Sequence, residues 1–585
     1  MEAGAPKISR KRLASLLETE RARFAELHPR SRKLFEAARG SLLAGVPMSW
    51  MSKWAGGHPI YVEGARGATI RDVDGHTYVD LCLGDTGAMA GHSPAPTVAA
   101  VEARLADAGG AAMMLPTEDA ALVGAELGRR FGVPLWSFTL SATDANRFAI
   151  RLCRQITGRP RILVFNWCYH GSVDETFITL DADGAPRARS GNVGPPIDPA
   201  VTTRVCEFND LGAVEAALAE GDVACVLTEP ALTNVGIVLP EDGFLEGLRE
   251  ATRAAGSLLI IDETHTASAG PGGCTGAWGL EPDVITLGKW LGGGVPVGAY
   301  GVSAELAERV EGDPDADYVD TGGVGGTLAG NALSLAASRA TLDEVLTADA
   351  FARMERLCTR FADGCAKAIS AHGLDWSVVQ LGARAEYVFT APEPRSGAAS
   401  AAASDPELED YLHLRLLNEG VLLTPFHNMA LMSPATTDAD VDRHTEAFVA
   451  ALAELADASV KRAAISDADV IRDQYAAVNE RDWERAMSHY AEDVELVIPR
   501  GLRSGTFRGR DEVGRWFGEW FSSFDRDLHF EITDLVELAD GAIELTADHV
   551  ARGRTSGAEV TQTVVWRYRF RDGRIVHVEG IAGPA

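Results

Sequence analysis

The chain has 585 residues, 46% hydrophobic and 24% charged, which is an ordinary composition for a globular protein but too long for one ordinary domain. Its 84 acidic and 54 basic side chains give a net charge of -30, which excludes nucleic acid and anionic membrane as partners because both are bound mainly through Lys and Arg. No apolar run reaches the roughly 18 residues of a membrane span, and the charged N-terminus lacks a secretory signal, so a cytoplasmic protein is expected. The eight cysteines form no CxxC pair, which predicts buried, reduced thiols, and no metal site is predicted.

The N-terminal region predicts helix followed by strands. Leucines at helical spacing favour an amphipathic helix over residues 10–44. Residues 59–81 then alternate apolar and β-branched residues, with breaks at 64–67 and at Asp74-Gly75 that are typical of hairpin turns.

Residues 90–345 carry short apolar runs that alternate with longer helical segments. The runs are RILVF (161–165), VACVLTEP (223–230), LLIIDE (258–263) and VITLG (284–288). Continuous apolar runs of this length predict strands that are buried on both faces of a mostly parallel sheet. Open α/β sheets bind ligands at their strand ends, and Glu229, Asp262 and Lys289 fall at or just past such ends.

The C-terminal part of the chain divides again. Residues 341–460 return to helices and a few strands, and the low-complexity stretch 391–407 is interpreted as a flexible surface loop. From Asp467 onward, helices are followed by strongly alternating strands, which predicts a separate α+β domain of about 120 residues.

Two residues, Lys289 and Asp262, indicate the kind of reaction that the chain catalyses. Lys289 follows a buried strand and precedes a glycine-rich turn, where shielding from water favours the neutral amine that forms an imine. Asp262 ends a strongly apolar strand, where an acid needs a cationic partner, and a pyridinium is one. A Schiff-base lysine and an acid at the pyridine nitrogen are the protein groups that pyridoxal phosphate (PLP) requires. The alternatives are a solvated surface lysine and a structural ion pair.

Five segments in the correct order resemble the class III aminotransferases, in particular their glutamate-semialdehyde-aminomutase-like branch. They include IIDETHT (260–266), ITLGKWLGGGVPVGAYG (285–301) and LSATDANRFAIRLCRQITGRPRILVFNWCYHG (140–171). The resemblance implies a fold type I PLP-dependent transferase, with a mostly parallel large domain and an α+β small domain. The C-terminal part resembles SnoaL-like domains, which are α+β cones. The predicted domains are an N-terminal helix with part of the small domain (1–74), the PLP-binding large domain (75–340), the rest of the small domain (341–460) and the cone (467–585).

The resemblance implies a set of cofactor-binding residues. Ala142 and Thr143 would hold the phosphate through backbone amides at the start of a helix from 144, and helix N-termini do attract anions. Thr327 would reach the phosphate of the neighbouring subunit, which makes a homodimer obligatory.

Three further residues would surround the cofactor ring. Tyr169 would stack on the pyridine, unless it is ordinary core packing. Asn234 would bond the phenolic oxygen, and Glu229 would orient Asn234 or the substrate.

The chain departs from the family's usual residues both around the cofactor and at the substrate carboxylate. Ala142, Asp144 and Thr264 replace the family's usual Gly, Glu and Val, and Met51 or its neighbours stand where aminomutases carry an arginine for the substrate carboxylate. Arg384 is the predicted replacement, since a guanidinium clamps a carboxylate bidentately, although a surface ion pair is the alternative. His265 and Trp50 are predicted to line the substrate pocket, with a packed structural role as the alternative for each.

These observations favour a transaminase that carries PLP as an internal aldimine on Lys289. It would move an amino group from an amino acid or amine donor to a keto acid or aldehyde acceptor. One alternative is an aminomutase of the glutamate-semialdehyde type. The other is an inactive PLP-binding half with the activity in the SnoaL-like domain, because fold alone does not define function.

Overall fold

The chain folds into two units, Met1–Ala458 and Ser459–Ala585. The computed structural model describes residues 8–313, 322–456, 467–499, 504–521, 529–538, 540–552, 559–571 and 574–581. The boundary between the two units lies outside the described residues, and the further division of the first unit at 74 and 340 stays a prediction.

The first unit is built on a seven-stranded, mostly parallel sheet, as predicted. Its strands are β4 (Leu135–Thr139), β5 (Arg161–Phe165), β8 (Thr203–Cys206), β9 (Val223–Thr228), β10 (Leu258–Asp262), β11 (Val284–Leu287) and β12 (Gly298–Val302), in the order β4-β12-β11-β10-β9-β5-β8. Strands β8, β5, β9, β10 and β11 run parallel, whereas β12 is antiparallel to both of its neighbours. Every residue of β9, β10 and β11 is buried, because helices cover both faces.

Two smaller sheets flank this one. The predicted hairpins are strands β1 (Val62–Arg66), β2 (Thr69–Asp72) and β3 (Thr77–Asp80), extended by β15 (Val421–Leu422). The third sheet contains β13 (Ser377–Leu381), β14 (Arg384–Val388) and β16 (Met429–Leu431), and the short strands β6 (Ile178–Leu180) and β7 (Pro186–Ala188) form a separate ribbon. The turn at Asp74-Gly75 is confirmed, whereas Gly64 lies inside β1.

Fourteen α-helices surround the sheets within the described part of the first unit. They are α1 (Arg10–Leu27), α2 (Pro29–Ala38), α3 (Ala95–Ala103), α4 (Glu118–Phe131), α5 (Ala142–Thr157), α6 (Leu211–Ala219), α7 (Phe244–Ala255), α8 (Gly273–Trp278), α9 (Ala304–Glu311), α10 (Ala332–Ala340), α11 (Ala348–Ala371), α12 (Gly397–Ala402), α13 (Pro406–Leu417) and α14 (Asp438–Ala456). No helix in the described ranges is long and apolar enough to cross a membrane.

The second unit is the predicted α+β domain. Its helices are α15 (Asp467–Glu480), α16 (Trp483–Ser488) and α17 (Arg510–Phe521), and its strands are β17 (Tyr490–Ile498), β18 (Gly505–Arg508), β19 (His529–Glu537), β20 (Ile543–Arg552), β21 (Glu559–Arg571) and β22 (Arg574–Ile581). The strands form one sheet in the order β18-β17-β22-β21-β20-β19. The buried side chains of this sheet and of its helices share one apolar core.

Two predicted elements are wrong in detail. The helix predicted over 10–44 is two helices, because Pro29 cannot continue α1 and instead begins α2. The stretch 391–407 is not a flexible loop throughout: it contains α12, in which Ser400 is buried and donates to the carbonyl oxygen of Val235. All eight cysteines are buried and unpaired, as predicted.

Candidate active site

Lys289 lies directly after β11 in a tight backbone turn. Its φ is +48°, a left-handed conformation that few residues other than glycine adopt, so the surrounding structure must impose it. The preceding Gly288 is required by close packing, since a Cβ there would lie 2.8 Å from the backbone nitrogen of Ala142. The end of β11 and the start of α5 are therefore held against each other.

The amine of Lys289 meets two polar side chains from distant segments. Its Nζ lies 2.7 Å from Oδ2 of Asp85 and 2.9 Å from Nε2 of His265. Asp85 and the next residue, Thr86, have φ values of +49° and +84°, so this loop is strained as well. Burial opposes the charge of Asp85, but the positive charges of Lys289 and Arg384 outweigh it and lower the pKa of the carboxyl.

Arg384 fixes the tautomer of His265. Its Nη2 donates to Nδ1 of His265 at 2.9 Å and to the hydroxyl of Thr86. Because a guanidinium cannot accept a hydrogen bond, Nδ1 must be the acceptor, and the single hydrogen of a neutral His265 sits on Nε2. Burial, followed by the charge of Lys289, lowers the pKa of His265 well below its usual value, so the ring is neutral. His265 and Asp85 thus approach Nζ of Lys289 from two distant segments and hold it in place.

Asp262 ends β10 and is 3% exposed. Its Oδ2 accepts from Nδ1 of His170 and from Nδ2 of Asn146, both at 2.8 Å, and its Oδ1 accepts from the backbone N–H of Thr264 at 3.0 Å. Burial alone would raise the pKa of Asp262 and lower that of His170. The hydrogen bond from His170 reverses the first shift, and the neighbouring Cys168 together with the bond to Asp262 reverses the second. Asp262 is thus an ionised carboxylate in an apolar setting, which suits a cationic ring nitrogen.

The first turn of α5 faces the same space. The helix begins at Ala142, two residues earlier than the predicted start at 144, because the Ser141 hydroxyl accepts from the backbone N–H of Asp144 at 3.2 Å and caps it. The backbone N–H groups of Ala142 and Thr143 therefore lie at a helix N-terminus, which is a ready site for a phosphate.

These groups line one cavity of about 280 Å³. Its lining is Leu140, Ser141, Ala142, Thr143, Tyr169, Gly171, Asp262, Thr264, His265, Lys289, Pro296 and Val297. The structure thus brings together six of the predicted site residues: Ala142, Thr143, Tyr169, Asp262, His265 and Lys289.

The cavity fits PLP. One buried atom in its lining, the hydroxyl of Thr264, has no hydrogen-bonding partner among the described residues. An amine, an ionised carboxylate and a helix N-terminus converge on the same space, and these are the groups that an aldehyde, a pyridine nitrogen and a phosphate require.

Two predicted residues border a second cavity. Asn234 lines this space of about 300 Å³, together with Trp167, Glu386 and His427, and its Nδ2 donates to the carbonyl of Trp167 at 2.9 Å. Trp50 packs edge-on against Phe426, another residue of this lining, at 5.5 Å between ring centroids.

The remaining predicted residues line neither cavity. Glu229 is buried and accepts from the backbone N–H of Thr233 at 3.2 Å and from its hydroxyl at 2.5 Å, so it reaches Asn234 only through the neighbouring residue. Thr327 is exposed in the loop before α10. Arg384 is 2% exposed and is not a surface ion pair, although Asp85 lies 3.9 Å away.

Sequence reasoning missed four residues of this site: Asp85, Thr86, Asn146 and His170. His170 stands directly after Tyr169 in the quoted Tyr-His-Gly segment, so its place beside the ring could have been noticed. The other three carry no local pattern that marks them.

A mostly parallel sheet that delivers a lysine, a carboxylate and a helix N-terminus to one cavity defines a fold type I PLP-dependent enzyme. Residues 50–452 match the aminotransferase class-III family, and the chain belongs to that family. PLP is its cofactor. Residues 471–578 match the SnoaL-like domain, which confirms the prediction for the second unit.

This chain covers nearly the whole length of the relatives that it matches. A glutamate-1-semialdehyde 2,1-aminomutase of Anaeromyxobacter sp. is 35% identical over 434 residues, which are 73% of this chain and 98% of that protein. A solved glutamate-1-semialdehyde aminomutase from Pseudomonas aeruginosa is 49% identical with a TM-score of 0.74, over 77% of this chain and 99% of that one. A lysine-to-alanine variant of a Pseudomonas aeruginosa aminomutase, in complex with PMP, gives the same values. An omega-transaminase from Sphaerobacter thermophilus is 29% identical with a TM-score of 0.66, over 73% and 98%.

Proposed function

We propose that the chain is a transaminase, which moves an amino group from an amino acid or amine donor to a keto acid or aldehyde acceptor. The observation that supports this proposal is the convergence of Lys289, Asp262 and the N-terminus of α5 on one cavity. When bound there, PLP supplies an electrophilic aldehyde and a ring that draws electrons from the carbon beside the amino group.

Lys289 carries the cofactor in the resting enzyme and later moves a proton. His265 and Asp85 each contact its amine and orient it. A neutral, oriented amine can attack an aldehyde and can then accept the proton of the donor carbon.

The other site residues hold and polarise the cofactor. Asp262, supported by His170, would keep the ring nitrogen protonated, and the amides of Ala142 and Thr143 would bind the phosphate. Tyr169 would cover the ring of a bound cofactor, and Asn234, positioned through Glu229 and Thr233, would bond its phenolic oxygen. Further, Thr327 of one subunit serves the phosphate site of the other, so the active form is a homodimer.

The substrate is bound on the side of His265, Arg384 and Trp50. Arg384 is the proposed anchor for a substrate carboxylate, and its buried guanidinium strengthens such a contact. Asp85, with Oδ1 at 3.9 Å, already partly neutralises this charge, so an incoming carboxylate competes with an internal one. The enzyme therefore favours donors whose carboxylate offers a better bidentate geometry than Asp85, or donors with no carboxylate at all.

The second candidate is an aminomutase, which moves the amino group within one molecule. The named relatives favour it, since those with 34–35% identity are glutamate-1-semialdehyde aminomutases. Met51 and its neighbours, which stand where aminomutases carry an arginine for the substrate carboxylate, favour the transaminase.

Absorption spectra separate the two candidates. The visible spectrum of the purified protein is recorded beside that of Lys289→Ala, before and after addition of amino acids and amines without an acceptor. A cofactor band that depends on Lys289 and that donors convert to the pyridoxamine form supports the transaminase. Consumption of glutamate 1-semialdehyde without any acceptor supports the aminomutase. No band even with excess PLP would refute both and would direct attention to the second unit.

A further inference from the structure

A cluster of two histidines and one carboxylate lies outside the cofactor cavity, where the junction of α1 and α2 meets the hairpin of β2 and β3. It consists of His28, Asp72 and His76, and one ligand atom of each lies within 4.8 Å of the other two. We propose that this cluster binds a divalent transition-metal ion of the zinc type and that the ion ties the N-terminal helices to the hairpin.

The distances within the cluster suit tetrahedral coordination. Oδ2 of Asp72 lies 3.5 Å from Nε2 of His28 and 3.3 Å from Nδ1 of His76. Two ligands that are each about 2.0–2.1 Å from zinc at a tetrahedral angle are separated by about 3.3–3.4 Å. The His76 side chain is 26% exposed, so it can turn to shorten its distance to His28 without repacking the core.

The tautomer of His28 directs a lone pair into the cluster. Nδ1 of His28 lies 2.8 Å from the carbonyl oxygen of Phe24, and a carbonyl only accepts, so Nδ1 carries the hydrogen. A histidine that donates one ring N–H to a backbone carbonyl and presents its other nitrogen is the usual arrangement of a metal-binding histidine. The backbone also fixes the side chain of Asp72, because its Oδ1 accepts from the N–H of His76 at 2.8 Å.

The hydroxyl of Tyr78 cannot satisfy the cluster alone. It lies 2.6 Å from Oδ2 of Asp72 and 2.7 Å from Nε2 of His28, and it has one hydrogen for two acceptors. One of these acceptors therefore faces a lone pair of the Tyr78 oxygen at short range. The side chains of Tyr78, Asp72 and His28 are almost fully buried, so water does not relieve this contact. A bound cation removes this conflict, and Tyr78 or a water then completes the coordination. A proton on His28 would remove it too, and the test below separates the two explanations.

The mixture of ligands selects the kind of ion. Two imidazoles and one carboxylate suit zinc and its neighbours in the first transition series, whereas magnesium and calcium prefer oxygen ligands throughout. With its ligands at the junction of α1 and α2, at the end of β2 and in the turn before β3, such an ion has a structural role.

The test is zinc binding by the full-length enzyme with its cofactor in place. After treatment with a chelator, the protein is titrated with zinc chloride by isothermal calorimetry, and the wild type is compared with His76→Ala. His76 is chosen because it is the most exposed of the three ligands, so the variant should fold, which circular dichroism and the cofactor band check. The matched control is His577→Ala in the second unit: His577 is 27% exposed and lies 3.4 Å from Glu495, much as His76 pairs with Asp72.

We expect one zinc per chain in the wild type and in His577→Ala, and an affinity at least about tenfold lower in His76→Ala. X-ray absorption on the zinc-loaded wild type should show nitrogen and oxygen neighbours that include imidazole. Failure of the wild type to bind zinc would overturn the proposal in favour of a protonated His28. An equal loss in both variants, or no loss in His76→Ala, would place the zinc elsewhere and overturn it as well.

Discussion

Asp85→Asn tests whether the cluster around Lys289 sets the reactivity of its amine. The change keeps the shape of the side chain but removes the carboxylate that lies 2.7 Å from Nζ. It also turns N–H donors toward His265 and Arg384, whose own contacts with Asp85 are 3.7 and 3.9 Å. We expect slower turnover because the amine loses the charged acceptor that orients it, and the amide oxygen that remains binds it more weakly.

The size of the effect follows from the hydrogen bond. A bond to a charged acceptor contributes about 1.5–3 kcal/mol, and each 1.4 kcal/mol changes a rate about tenfold. If the bond acts on the reacting state, kcat/KM falls about 10- to 150-fold, while the affinity for PLP changes less because the phosphate contacts remain.

The assay is the rate at which a saturating amino donor converts the cofactor band in a single turnover. Asp183→Asn is the control, because Asp183 is an exposed carboxylate in a separate loop. A rate for Asp85→Asn within twofold of the wild type would refute the role of this cluster. A loss in both variants would show that the assay reports general damage.

Burial raises the pKa of Glu229 to about 7, above the ordinary 4.5. Between these two pH values the folded chain keeps a proton on Glu229 that the unfolded chain releases, so the folded state loses stability as the pH rises from about 4.5 to about 7. Glu229→Gln should therefore have a free energy of unfolding about 1–3 kcal/mol above that of the wild type at pH 8, and nearly the same at pH 4.5. Urea unfolding measures both values, and an equal difference at the two pH values would contradict the prediction. Gly288→Ala should weaken PLP binding at least about tenfold, because its Cβ would push on Ala142 at the phosphate site. Equilibrium dialysis measures it, and an unchanged dissociation constant would place the phosphate elsewhere. His170→Phe should also weaken PLP binding about tenfold, because Asp262 loses a charged donor at 2.8 Å; the same dialysis checks it, and unaltered affinity would show that Asp262 needs no such support.

Four strands of the central sheet, β5, β9, β10 and β11, were predictable because their apolar runs are continuous. A strand buried on both faces rarely holds a charged side chain, so the first charged residue after the apolar run marks its end. This placed Asp262 at the end of β10 and Lys289 just past β11. The start of α5 was predictable to within two residues from the Ser141 cap.

The cluster around Lys289 was not predictable, because its members are distant in sequence. Asp85 is 204 positions from Lys289, and Arg384 is 119 positions from His265. No periodicity links such residues, and only the fold brings them together.

The composition of residues 391–407 led to the wrong prediction of a flexible loop, because small residues can also pack closely. The alanines and serines of 391–407 are typical of a linker, but they also allow a short helix to approach a neighbouring segment, and α12 does so through Ser400. Leucine spacing likewise continued across Pro29, where the chain starts a new helix.

The distribution of the cysteines makes the two units separately observable. All eight lie between Cys82 and Cys365, within the first unit, and all are buried, while the second unit has none. A thiol reagent can therefore react only when the first unit opens. Unfolding of the second unit does not change the reaction of the chain with the reagent. Labelling the intact chain at increasing denaturant thus reads the stability of the cofactor-binding unit alone, without cutting the protein in two.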